Sequence, residues 1–237
     1  MDETALKTAH VPPKLISEKN VKQEAKITSA ERGILVKGIC SVSASGNAIP
    51  PTYVWPSKTD RRTHFYMRGT LPASLGLHHS SGWMTEDNFC MWVEHFIEYA
   101  RPSLDDPVLL LDKHQSHLAV KAIHRAKEFG VNMLKFPPHI INKLQPLDVS
   151  LYGPLKTYNN AACNDWQLTN LDKTIGLYGV GELAAKAMVR AVIPDNIMAG
   201  YRTPGIYPLD AYIFQDSDFL PSYRLPFSGT CVREATR

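Results

Sequence analysis

The chain has 237 residues, of which 44% are hydrophobic and 21% charged, with a net charge of +3 and a mean hydropathy of −0.21. These are the proportions of an ordinary globular protein, and they exclude a mainly disordered, collagen-like or membrane-embedded chain. The charge is too small to indicate nucleic-acid binding by itself, so local clusters matter more.

The first clear pattern predicts a β-hairpin. Residues 34–42 and 48–55 are apolar and rich in strand-forming residues, and the turn residues at 43–47 separate them. Pro50 and Pro51 lack backbone N–H groups and therefore predict that the second strand lies at a sheet edge.

A helix is predicted after a loop that extends to about Trp83. Thr85 is suited to cap it, and apolar residues recur at three- and four-residue spacing from Phe89 to Ala100. We expect Trp83 and Trp92 to lie in the core, one beside the cap and one on the apolar helix face.

The next segment predicts a strand–helix–strand unit. Residues 108–111 form an unbroken apolar run, typical of a strand buried on both faces, and Asp112 follows at its carboxyl end. Ser116 is suited to cap the helix, Gly130 to end it, and residues 131–136 form the second strand. Short connections of this kind imply parallel pairing.

The C-terminal half is predicted to be helical. Apolar residues at helical spacing mark helices around 151–162 and 183–191, with Pro154 in the first turn of the former. The fold class is therefore α/β with a helical C-terminal part, and the chain is expected to fray beyond about residue 222.

Three aspartates lie where an α/β sheet builds a metal site. Asp2 opens the chain, Asp112 follows a strand, and Asp148 precedes a helix. Carboxylate oxygens suit Mg²⁺ or Mn²⁺, and two such ions about 3.5–4 Å apart support phosphoryl transfer. Aspartates also serve as helix caps and turn formers, so that structural alternative stays open.

A basic stretch at residues 58–68 is a candidate nucleic-acid surface. Its cations neutralise phosphates, and interleaved aromatic rings can stack on bases. A solvated loop is the alternative. The candidate cations are Lys58, Arg61, Arg62 and Arg68.

Several motifs follow one another along the chain: Asp2-Glu-Thr, Thr28-Ser-Ala-Glu-Arg-Gly33, Val42-Ser-Ala-Ser-Gly46 with Ile49-Pro-Pro51, Ser81-Gly-Trp-Met-Thr85, Leu109-Leu-Leu-Asp-Lys-His-Gln-Ser-His117, Pro137-Pro-His139 and Leu144-Gln-Pro-Leu-Asp-Val149. In this order they resemble one protein family, the DDE superfamily endonuclease domain of pogo, Tigger and Jerky-like transposases. The resemblance runs from Asp2 to about Leu220.

The resemblance implies a ribonuclease H-like mixed sheet flanked by helices over residues 1–220, with a poorly ordered tail at 221–237. It implies that Asp2, Asp112 and Asp148 are the three catalytic acids and hold two Mg²⁺ (or Mn²⁺) ions for DNA strand cleavage and transfer. His114 and His117 match the frame after the second acid and are assigned to DNA contact. Metal ligation, for which histidine is soft beside Mg²⁺, the orienting of an aspartate and simple packing are left open for both.

The expected partner is DNA and the expected compartment is the nucleus. A homo-oligomer is also considered. No apolar window approaches a membrane span, and the acidic N-terminal residues are unlike a signal peptide. The four cysteines lie at least 50 residues apart without a CxxC pair, which favours a reducing compartment.

Two departures from the family pattern bear on activity. Lys113 stands where the family usually has asparagine, which places a cation beside the predicted metal site. Asp2 directly follows Met1, so the first strand is expected to be truncated and Asp2 to fray. Active cleavage therefore has alternatives: an inactive nucleic-acid-binding remnant, a truncated domesticated transposase, or a fold without either role.

Overall fold

The computed structural model describes residues 1–8, 35–102, 108–112, 114–137, 141–171, 173–215 and 218. The strands are β1 Asp2–Lys7, β2 Leu35–Cys40, β3 Thr52–Pro56, β4 Leu75–His79, β5 Val108–Leu111 and β6 Asn132–Lys135. The α-helices are α1 Thr63–Tyr66, α2 Glu86–Ala100, α3 Val120–Glu128, α4 Ile141–Leu144, α5 Tyr152–Thr169, α6 Leu177–Ala191 and α7 Pro194–Arg202. Short 3₁₀ turns span Asp60–Arg62 and Gln115–Leu118, and a π-helical turn spans Leu147–Leu151.

The strands form a four-stranded mixed sheet and a two-stranded parallel sheet. β1, β2 and β3 pair antiparallel in that order, and β4 adds to β3 in parallel. β5 and β6 pair in parallel, and the Met1 amine donates a hydrogen bond of 3.0 Å to the carbonyl oxygen of Leu110, which brings β5 beside the start of β1. This agrees with the mixed sheet flanked by helices that the resemblance implies.

The first strand is better anchored than the sequence predicts. All six residues of β1 pair with β2, from Asp2 opposite Cys40 to Lys7 opposite Leu35. Leu6 is fully buried in the core, and Asp2 is only 6% exposed. The expectation that Asp2 would fray is therefore wrong, because a complete antiparallel ladder and core packing hold the residues that follow it.

The predicted hairpin is confirmed, but its second strand is not at an edge. β3 lies between β2 and β4. Pro50 and Pro51 precede β3 instead of lying within it, so their missing N–H groups interrupt no ladder. Strand β4 and the short helix α1 lie in the segment for which the sequence predicted only a loop.

The strand–helix–strand unit is confirmed with two corrections. β5 and β6 are parallel, and Gly130 has a positive φ of 75° just after α3, as expected of a helix-ending glycine. Ser116 lies within a 3₁₀ turn, and α3 begins only at Val120. Burial along β5 alternates and leaves Val108 57% exposed, so β5 is not buried on both faces.

Helices α5, α6 and α7 pack beside the sheet and form the predicted helical part. α5 packs against α6, and side chains from both join the core around Trp55 and Tyr53. α7 packs on the π-helical turn that contains Asp148. None of the helices in the described part of the chain is long and apolar enough to span a bilayer. The predicted tail at 221–237 lies outside the described residues.

Candidate functional site

The fold brings the three predicted aspartates within electrostatic range of one another. Asp2 begins β1, Asp112 follows β5, and Asp148 lies in the π-helical turn before α5. The charges of Asp148 and Asp112 both raise the pKa of Asp2, and Asp112 raises that of Asp148. Three elements far apart in sequence therefore bring their carboxylates close enough for the charges to interact.

Asp2 is the most strongly perturbed of the three. Burial, followed by the charges of Asp148 and Asp112, raises its pKa from 3.8 to about 7. The hydroxyl of Tyr152 donates a hydrogen bond to the main-chain oxygen of Asp2, and Gln145 donates one to that of Met1 at 3.4 Å. The main chain at Met1 and Asp2 is thus held by Gln145 and by Tyr152 of α5, while no side chain among the described residues neutralises the Asp2 carboxylate.

Asp112 is held by the residues that follow it. Its Oδ1 accepts a 3.1 Å hydrogen bond from the His114 amide and lies 2.7 Å from Nδ1 of His117. The His117 ring is close but not aligned for a regular hydrogen bond, so the attraction is mainly electrostatic. Burial raises the pKa of Asp112, but these contacts outweigh it, and the net shift is downward.

Asp148 is exposed on the solvent side of the site. Burial of part of its carboxylate and the charge of Asp112 raise its pKa, while the ammonium of Lys156 opposes that rise. The two raised values and the one lowered value show that the three carboxylates are not equivalent. Asp112 is the one that stays ionised most readily.

The two predicted histidines do not face solvent freely. His117 is fully buried and packs on Phe89, with ring centroids 4.6 Å apart. His114 is half-buried and places Nδ1 2.7 Å from Oγ of Ser116. A direct DNA contact by His114 stays a prediction, whereas a DNA contact by His117 would need its ring to leave the core.

The sequence analysis did not predict a contact between Glu3, Lys37 and Trp83, which lies on the same side of the sheet as the histidines. Glu3 lies in an ion pair with Lys37, at 3.5 Å, and the Lys37 ammonium sits 4.0 Å from the ring centre of Trp83. Trp83 is half-exposed and parallel to the His114 ring, so its predicted core position is wrong, while Trp92 is buried as predicted. The acidic residue next to Asp2 was the available signal.

Lys58, the first cation of the basic stretch, lies beyond the end of β3 that is far from Asp2, and the segment after it returns along the sheet, where Thr63 and Met67 pack against Gly76. Asp2 is level with the start of β3 through its pairing with Cys40, whereas Lys58 follows the end of β3, about 20 Å further at the rise of an extended strand. All four of its candidate cations are exposed: Lys58, Arg61, Arg62 and Arg68. Of the interleaved rings, Phe65 is partly exposed beneath Arg68, whereas Tyr66 is buried against Trp55.

Lys113 lies outside the described residues, and so does His139 of the Pro-Pro-His motif. The predicted effect of the Lys113 ammonium on the aspartates therefore stays a prediction. The described part of the site consists of the three aspartates and the side chains that surround them.

A family model described as "DDE superfamily endonuclease" matches residues 34–196, which include Asp112 and Asp148 and begin after Asp2. A protein of Cochliobolus lunatus named "MFS-type transporter clz9" is 28% identical over 178 residues, covering 74% of this chain and 19% of its own length. The human "Pogo transposable element with KRAB domain" is 25% identical over 146 residues, covering 60% of this chain and 23% of its own.

The chain therefore spans less than a quarter of the length of these curated relatives. Among solved structures, the "Mos1 transposase paired-end complex with left transposon end" matches with a TM-score of 0.43 and 12% identity. That match covers 86% of this chain and 54% of the transposase chain.

Proposed function

The chain belongs to the DDE superfamily endonuclease family, and from this premise we propose that it binds DNA and performs metal-dependent DNA strand cleavage and transfer. The observation that carries the proposal is the convergence of Asp2, Asp112 and Asp148 from three separate elements. The proposed compartment is the nucleus, where DNA would be met, and self-association stays a prediction.

The donor set fits hard divalent cations. The three carboxylates interact through their charges, and the buried one has no neutralising side chain among the described residues, a charge arrangement that Mg²⁺ or Mn²⁺ relieves. Asp2, Asp112 and Asp148 would hold two such ions. Bound ions of this kind activate an attacking oxygen and stabilise a leaving oxygen in phosphoryl transfer.

The protein's own part is to position these carboxylates. The His114 amide and the His117 ring restrain one oxygen of Asp112, which leaves its second oxygen for a metal ion. Tyr152 and Gln145 fix the main chain at Asp2 and Met1. Lys156 is the cation that acts on Asp148, and it is exposed, so it can contact the DNA backbone beside the aspartates.

We expect nicking of supercoiled DNA in the presence of Mn²⁺, reduced ~10²–10³-fold or more by Asp112→Ala and by Asp148→Ala, because each removes an interaction worth several kcal/mol in the transition state. Asp165→Ala changes an exposed carboxylate on α5 and serves as the matched control. Gel analysis of nicked circles gives the rates. Nicking that persists in both site variants would contradict the proposal.

The second candidate function is nucleic-acid binding without cleavage, favoured by the exposure of the four cations of the basic stretch. Folded protein that binds DNA but nicks none of it under Mn²⁺ would favour this function over the first. The anchored first strand removes one of the three sequence arguments for it and leaves Lys113 and the basic stretch.

Charge reversal in the basic stretch tests DNA binding directly. We expect the double change Arg61→Glu and Arg62→Glu to weaken binding and to lower the slope of log affinity against log salt by about 1 for each lost phosphate contact. Lys121→Glu with Lys127→Glu, two exposed cations of α3, is the matched control. Fluorescence anisotropy with labelled DNA measures both, and equal losses in the two doubles would remove this stretch from the interface.

A further inference from the structure

Glu3, His114 and His117 form a second group of ligand-type side chains beside the aspartates. One carboxylate oxygen of Glu3 and one ring nitrogen of each histidine lie within 4.8 Å of one another. The group joins the strand β1 to the 3₁₀ turn that follows β5. Its nitrogen donors set it apart from the all-carboxylate site.

The hydrogen-bonding pattern leaves particular atoms free. Nδ1 of His114 contacts Oγ of Ser116, and Nδ1 of His117 contacts Oδ1 of Asp112, each at 2.7 Å, so Nε2 is the free nitrogen of each ring. In the described part of the chain, Nε2 of His117 and Oε1 of Glu3 are both buried without a hydrogen-bond partner, and Nδ1 of His117 likewise makes no regular hydrogen bond but has the ionic contact with Asp112.

Their burial makes these free atoms significant. The side chain of His117 is completely buried and that of Glu3 is 7% exposed. Unpartnered buried polar atoms cost free energy and are rare in folded proteins, so two of them within one small group indicate that something else binds there.

We propose that Glu3, His114 and His117 bind one transition-metal ion of the zinc class. Two imidazole nitrogens and one carboxylate oxygen are a donor set for Zn²⁺, whereas Mg²⁺ prefers oxygen ligands alone. Asp112 and Ser116 occupy the outer positions, since metal-bound histidines typically place their other ring nitrogen against a carboxylate or another oxygen.

The ammonium of Lys37 contacts the other carboxylate oxygen of Glu3. Lys37 pairs with Oε2 and rests on the Trp83 ring, which leaves Oε1 for the metal ion. Trp83 in turn lies parallel to the His114 ring at 6.4 Å between centroids and limits its movement. An ion bound here would fix the His117 ring, and the His117 ring in turn contacts Asp112.

Binding of Co²⁺ alone, as a spectroscopic substitute for Zn²⁺, tests the proposal on the full chain after chelation and dialysis. We expect one equivalent of Co²⁺ to give intense visible absorption bands of low-symmetry nitrogen and oxygen coordination, and Zn²⁺ to displace it. Glu3→Gln and His114→Gln should each weaken Co²⁺ binding more than about tenfold. His124→Gln, an exposed histidine on α3, is the matched control.

Asp148→Asn separates this site from the three-aspartate site, because it alters only the latter and should leave the cobalt spectrum unchanged. His117→Gln is expected to misfold, so the variant of the half-buried His114 is used for the test, and circular dichroism checks its folding.

The proposal is overturned if no such bands form, or if they survive Glu3→Gln and His114→Gln but vanish in Asp148→Asn. DNA nicking plays no part in this readout, so a failure of either proposal is recognised separately.

Discussion

Asp2→Asn is expected to stabilise the metal-free protein at pH 8 relative to the parent. Burial and the charges of Asp148 and Asp112 raise the pKa of Asp2 from 3.8 to about 7. Between these values the folded state binds a proton that the unfolded state has released, so this carboxyl lowers stability as the pH rises from about 4 to about 7. Asparagine removes that cost because it carries no charge.

The difference in unfolding free energy between Asp2→Asn and the parent should grow by ~2–3 kcal/mol from pH 5 to pH 8. Urea denaturation in EDTA at the two pH values measures it. The Met1 ammonium, whose pKa burial lowers to about 6, makes stability rise with pH from about 6 to 8. The Asp2 charge holds this pKa up, so the ammonium also contributes to the difference between parent and variant. Asp112, with its lowered pKa, stabilises the fold above about pH 4 and loses that contribution only at lower pH, so it does not affect this comparison.

Divalent metal should make the parent more stable than Asp2→Asn at pH 8, the opposite of the order expected without metal. Mn²⁺ is expected to raise the melting temperature of the parent at pH 8, since a ligand that binds only the folded state stabilises it, and Asp2→Asn should lose that rise. Asp165→Asn, an exposed carboxylate on α5, should keep the parent's pH dependence and its response to Mn²⁺. An equal response to Mn²⁺ in Asp2→Asn and the parent would show that Asp2 does not bind the metal.

Gly200→Ala is expected to destabilise the protein by ~1–3 kcal/mol, despite the better helix propensity of alanine. Gly200 lies in α7 where the helix approaches the π-helical turn that contains Asp148. A Cβ atom there would overlap the carbonyl oxygen of Pro146 and lie 2.6 Å from Oγ of Ser150. Ser150 also donates a hydrogen bond to the Asn196 carbonyl, so α7 cannot move away without losing it.

Gly153→Ala is the matched control, because nothing lies within 4 Å of a Cβ atom at that position in α5. It should leave the free energy of unfolding unchanged or raise it by up to ~1 kcal/mol. Urea denaturation compares the two variants. Since Gly200 supports the turn that carries Asp148, Gly200→Ala should also weaken the melting response to Mn²⁺. Equal stabilities of the two variants would mean that this close approach does not constrain the fold.

The local sequence pattern predicted a helix cap, a helix end and a strand correctly, because these features depend on residues close together in the chain. Thr85 caps α2 through a hydrogen bond from the Asn88 amide, as its position before acidic and apolar residues predicted. Gly130 ends the segment of α3, and an apolar run formed β5. Sheet position was less predictable, because whether β3 is internal depends on β4, a strand that only long-range pairing reveals.

The sequence by itself determined the family, the βαβ unit and the choice of three aspartates, because these depend on residue types, short-range spacing and motif order. Only the tertiary structure decided which groups surround those aspartates. It buried Asp2 through the ladder between β1 and β2, placed His117 against Asp112, and brought Glu3 to the two histidines. Burial and proximity between distant segments arise from packing, and the pKa shifts and free ligand atoms at this site follow from them.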